Sequence, residues 1–143
     1  MAEGVLKQLA EQHQLHWQID SAGTEEYHVG QPPDRRAIDH CMKNGIDISG
    51  QRARQIRITD FSSYDLVYAL AENVFDELHE MQPPGAGHSG LRLLLDEVYP
   101  GQNRSVPDPW YGNQNDFAVA YDLIFQACEA IVKRYAGNRE ESV

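Results

Sequence analysis

The apolar positions along the chain recur with two periods. Val5, Leu6, Leu9 and Ala10 share one face at helical spacing, which predicts an opening helix. Trp17-Gln18-Ile19-Asp20-Ser21 alternates apolar and polar side chains and predicts a short strand. Residues 23–33 read as a loop rich in Gly and Pro. Pro32-Pro33-Asp34 then opens a helix to about Asn44, with Gly45 placed to stop it. Residues 64–70 form a largely apolar run suited to a buried parallel strand. A helix over 72–81 turns Val74, Phe75 and Leu78 inward, 83–90 is a loop, and 91–95 is a third strand. Residues 99–114 form a long loop containing Pro100, Pro107 and Pro109. Asn115 is placed to cap a last helix with Phe117, Tyr121, Ile124, Cys128, Ile131 and Tyr135 on one face and Gly137 at its end.

Helices alternating with short apolar strands predict one α/β domain over residues 1–143, a small parallel sheet with helices on both faces. Residues 138–143 are expected to fray. The order is unusual in opening on a helix. A doubly wound sheet ordinarily opens on a strand, whose following loop presents an anion to the first helix N-terminus.

Charge narrows the partners. The formal net charge is −10, which argues against nucleic acid and against an anionic membrane surface. No apolar run is long enough to span a bilayer, and Met-Ala-Glu-Gly lacks the features of a signal peptide, so a cytoplasmic location is expected. Cys41 and Cys128 are expected to be reduced thiols. The six histidines do not cluster with cysteine at zinc-site spacing, and neither a metal nor another cofactor is expected.

Two motif matches fail on context. Gly85-Ala86-Gly87-His88-Ser89-Gly90 fits a dinucleotide fingerprint, but it follows a helix and precedes a strand, the reverse of what the phosphates need. Cys128 and Arg134 have the Cys-(five)-Arg spacing of cysteine phosphatases. The residues between them, Glu129-Ala130-Ile131-Val132-Lys133, form a helical run whose N–H groups are used internally and cannot cradle a phosphate.

Six other segments, taken in order, carry a resemblance. They are Asp20-Ser21-Ala22-Gly23-Thr24, Gly30-Gln31-Pro32-Pro33-Asp34, Gly45-Ile46-Asp47-Ile48-Ser49, Ala53-Arg54-Gln55-Ile56, Tyr64-Asp65-Leu66-Val67 and Asp108-Pro109-Trp110-Tyr111-Gly112. Together they resemble the low-molecular-weight protein tyrosine phosphatases from residue 1 to about 136. The resemblance implies a metal-free, two-step displacement at phosphorus. A cysteine thiolate attacks the phosphate of a phosphotyrosine protein or peptide, an aspartic acid protonates the leaving phenolate, and the same carboxylate then activates water. It maps Asp108 onto that acid, Tyr27 and Trp110 onto aromatic walls beside the phenyl ring, and Ser21 and Gln51 onto supports of the catalytic loop.

Three departures qualify it. In the family a Cys-(five)-Arg-Ser-Pro stretch comes immediately before the residues matching Met1-Ala2-Glu3. This sequence does not contain it, nor the strand ahead of it, so the chain as written is expected to lack the nucleophile and to be inactive. Gln51 replaces the family's usual histidine. Ala71 stands where an acidic residue is usual, the nearest carboxylate being Glu72. The alternative is a non-catalytic relative that binds a partner; an arsenate-reducing relative is disfavoured by the Asp108-Pro109-Trp110-Tyr111 loop. The missing central strand further predicts self-association through an exposed sheet.

Overall fold

Met1 opens α1 (Ala2–Gln12), which buries Gly4, Val5, Leu9 and Ala10, the face expected from their spacing. The helix closes on Gln14 at φ 57, and the Leu15 amide donates back to the Ala10 carbonyl at 2.8 Å. The structure is a computed structural model and describes residues 1–25, 29–83, 90–109 and 112–141. Asp34 caps α2 (Arg35–Lys43) by accepting from the Arg36 amide, and Gly45 at φ 78 turns the chain away beyond its end. The sequence pattern gave no element between 46 and 63. A short helix, α3 (Asp60–Ser63), lies there.

Next come β1 (Val67–Ala69), α4 (Glu72–Met81) and β2 (Leu91–Leu93). The two strands are parallel, with Val67 opposite Leu91 and Ala69 opposite Leu93. The third predicted strand therefore ends early, and Leu94–Glu97 winds into a 3-10 turn. The reason is visible in burial. Leu94 and Leu95 both join the same apolar cluster, whereas successive strand residues would point to opposite faces.

The final helix, α5 (Gln114–Glu141), passes through Gly137 rather than stopping there. Glycine permits a positive φ but does not impose one. Its cap is Asn113, not Asn115: the Asn113 side chain accepts from the Asn115 amide at 2.9 Å, and Asp116 accepts from the Asn113 amide at 2.9 Å. This is the reciprocal arrangement of a capping box.

Two apolar clusters flank the strands. One joins α1, α2 and α5 through Val5, Cys41, Ile48, Leu95, Tyr121 and Cys128. The other gathers Phe61, Ala69, Leu78 and Leu93, with Val74 and Phe75 against them. Tyr68 leans on the first cluster and Val67 on the second, so helices cover both faces of the small parallel sheet, as the pattern predicts. Each fully buried aliphatic side chain contributes roughly 1.5–3 kcal/mol.

The predicted strand at 17–21 does not form. Trp17 and Ile19 are half-buried against the larger cluster, so the alternation does set inside and outside. What it cannot supply is a neighbouring strand to bond with. Pairing begins only at Gly23, in an isolated parallel bridge to Gln55.

Candidate active site

The predicted site residues are held from two sides. Ser21 and Gln51 come to the first turn of α1, which opens without a side-chain cap. The Ser21 hydroxyl donates to Glu3 Oε1 at 2.5 Å, while Lys7 Nζ donates to the other oxygen at 2.7 Å. The Glu3 side chain is only 8% exposed, so this pairing balances a carboxylate that is nearly out of water. Gln51 Nε2 lies 3.4 Å from the point where a side chain on Gly4 would begin, and the same point is 2.5 Å from Ile48 Cγ2. Gly4 is therefore what lets the 46–51 segment press against α1. Sequence reading missed both Glu3 and Gly4. Glu3 sits four residues before Lys7, a helical ion-pair spacing that could have drawn attention.

The Ser21 segment is fixed in turn by Arg54, another residue whose role spacing did not reveal. Its guanidinium donates to Asp20 Oδ2 at 3.0 Å and to both oxygens of Asp60, at 2.9 and 3.3 Å. Asp60 also accepts from the Arg57 amide at 2.8 Å. Burial alone would raise the Asp60 pKa; the Arg54 and Arg57 contacts outweigh it and hold the carboxyl below its ordinary value.

Asp108 is placed from the sheet. In the parallel ladder Val67 and Ala69 direct their backbone groups toward β2, so Tyr68 and Leu70 direct theirs to the opposite edge. There the Val106 amide donates to the Leu70 carbonyl at 2.8 Å, and the Ser105 hydroxyl accepts from the Glu72 amide at 2.9 Å. Val106 is buried and Asp108, two residues on, is exposed between Pro107 and Pro109. The loop thus docks at the carboxyl end of β1, where parallel α/β sheets ordinarily place their sites. Beyond Asp108 the Gly112 amide donates to the Pro109 carbonyl at 2.9 Å. Tyr27 and Trp110 lie outside the described residues.

Cys41 and Cys128 are free and buried, at 0% and 1% exposure. Burial raises the Cys41 thiol above its ordinary range and pushes Cys128 up to about 12, the nearby Met1 ammonium opposing it in both cases. Cys128 lies on the inner face of α5, and Arg134 is paired with Glu97 at 3.1 Å, which disposes of their phosphatase-like spacing.

Among the described residues no three His, Cys, Asp or Glu side chains form a metal cluster, and no helix is long and apolar enough to cross a membrane.

Comparison with known proteins places this arrangement. A putative low molecular weight protein-tyrosine-phosphatase of Synechocystis is 36% identical over 129 residues, covering 89% of this chain and 82% of its own. The low molecular weight phosphotyrosine protein phosphatase of Mus musculus is 32% identical over 136 residues, covering 94% and 85%. A crystal structure of a protein tyrosine phosphatase from Entamoeba histolytica superimposes with a TM-score of 0.88 at 27% identity, covering 96% of this chain and 88% of that one. The profile described as low molecular weight phosphotyrosine protein phosphatase matches residues 1–141, and with a fold that agrees, this chain belongs to that family.

Proposed function

We propose that the chain is the scaffold of a phosphotyrosine phosphatase in which Asp108 is the general acid and then the general base. Tyr27 and Trp110 flank the substrate ring, and Ser21 and Gln51 brace the phosphate-binding end of α1. The observation that carries this reading is the docking of the Asp108 loop at the carboxyl end of β1, through Val106 and Ser105. An exposed carboxyl group on a loop stiffened by two prolines can reach a leaving oxygen, protonate it, and recover the proton from water.

On this reading the nucleophile is neither Cys41 nor Cys128; the support is that both thiols are buried and that burial raises their pKa. Purified protein should therefore show no thiol-dependent turnover of p-nitrophenyl phosphate. Turnover that iodoacetate abolishes would overturn this. Joined to a strand and loop that supply a thiolate and an arginine, the scaffold should turn over. Asp108→Ala should then slow esters of poor leaving groups by about 10²–10⁴-fold, and good leaving groups much less. An equal loss across the series would remove Asp108 from the acid role.

The departures at Gln51 and Ala71 favour a second reading, a non-catalytic relative that binds a partner. An in-frame Cys-(five)-Arg-Ser-Pro in the DNA ahead of Met1 would decide for the enzyme, and a stop codon there for the binding protein.

A further inference from the structure

The Asp108 loop is fastened on its far side by a residue from a different helix. Arg36 lies in the first turn of α2, and its guanidinium makes a two-pronged pair with the Asp34 carboxylate, Nε to Oδ1 at 3.1 Å and Nη2 to Oδ2 at 2.9 Å. The same carboxylate caps α2 by accepting from the Arg36 amide at 2.8 Å. The guanidinium plane stands 4.7 Å from the centre of the Phe117 ring in α5. With one edge paired and one face stacked, its orientation is set, and Nη1 donates to the Gly112 carbonyl at 2.7 Å.

That bond falls at a sensitive place. The Gly112 amide donates to the Pro109 carbonyl, and a side chain on Gly112 would strike Asp116, the reciprocal partner in the α5 cap. Asp108 is thus strung between two anchors. Val106, bonded to Leu70 at the end of β1, stands two residues before it, and Pro109, whose carbonyl accepts from the Gly112 that Arg36 holds, stands one residue after it. Only Pro107 and Asp108 itself lie between them. We infer that Arg36 is the positioning residue for the Asp108 carboxyl group, acting through a guanidinium shared between Asp34 and the Gly112 carbonyl.

Lysine cannot replace it. An ammonium is a point charge on a flexible stem; it can meet Asp34 or Gly112 but does not present the planar fork that serves both. The inference rests on the reading of Asp108 as the acid, but its test needs no turnover, so either can fail without the other.

The test is amide hydrogen exchange and carboxyl-carbon NMR on the full isotope-labelled chain, as wild type and as Arg36→Lys and Arg36→Met. Gly112 exchange should quicken about tenfold or more in both variants, the size expected for loss of a hydrogen bond from a charged donor. The Asp108 carboxyl signal should move in both. Val106 in the loop and Ala127 in the core should exchange at wild-type rates, which also reports that the variants fold. Unchanged Gly112 exchange would overturn the inference. So would an equal acceleration that includes Ala127, which is global destabilisation, or full protection in Arg36→Lys, which would make charge sufficient without the fork.

Discussion

Residues 99–112 and residues 15–23 invert what their sequence patterns promise. The first stretch is rich in proline and predicted as a loop, yet the structure ties it down at Ser105, Val106 and Gly112, to α4, the end of β1 and α2 in turn. The second alternates like a strand, yet its backbone enters no ladder until Gly23. Its fastenings are side-chain bonds, Ser21 to Glu3 and Asp20 to Arg54. Regular structure and fixed position are thus separate properties. A ladder needs a neighbouring strand, whereas a loop needs only a few well-placed donors and acceptors. The two candidate halves of the site are set by different means: Ser21 through side-chain bonds, Asp108 through bonds to its loop's backbone at Val106 and Gly112.

The largest expected effect comes from cutting the charged side. Arg54→Met leaves the nearly buried Asp60 carboxylate without its main partner and releases Asp20. A cost of about 2–3 kcal/mol is expected, discounted because Arg54 is itself 26% exposed. Chemical denaturation would measure it. The pH dependence carries the same signature. Asp60 has its pKa lowered on folding from the ordinary 3.8. Its stabilisation is complete above that value and is lost as pH falls through the lower folded one. Thermal unfolding of Asp60→Asn should therefore be less sensitive to pH than wild type as pH falls below 3.8. Parallel curves for the two proteins would show that the Arg54 pair contributes little to folding.

A smaller loss is expected on the backbone side. Asn113→Ala removes the cap of α5 at the exit of the Asp108 loop, and should cost about 1 kcal/mol. If stability falls much further, the loop is part of the global folding unit and not a locally anchored arm.

The smallest effect concerns the sheet. Among the described residues β1 pairs with β2 alone, and the carbonyl of Leu70 on its other edge is taken by Val106. We propose weak self-association through what remains of that edge. A net charge of −10 opposes it, so added salt should strengthen it. Sedimentation across concentration and salt would check this, and a monomer under all conditions would refute it.

Helix positions were legible wherever a long periodic face met a sharp boundary. α1, α2 and α4 fall where spacing and the Asp34 and Gly45 signals place them. The errors lie at boundaries where partners decide. Asn113 and Asn115 are both capping residues by type, and only the reciprocal bond with Asp116 selects Asn113. Asp108 was singled out as a candidate because its flanking prolines and following aromatics form one local segment. The roles of Arg36, Arg54 and Glu3 were not legible, because the bonds that reach Gly112, Asp20 and Ser21 span 76, 34 and 18 residues and no local pattern records such distances.

By itself, then, the sequence determined which faces of the helices are buried, where α2 starts, and the resemblance carried by six short segments. These follow from local sterics and from apolar spacing, which act within a few residues. Tertiary structure decided which alternating stretch becomes a strand, which asparagine caps α5, and which guanidinium reaches the Asp108 loop. Those outcomes depend on hydrogen-bond partners brought from distant parts of the chain, and a backbone or charged group takes whichever partner the packed fold puts within about 3 Å.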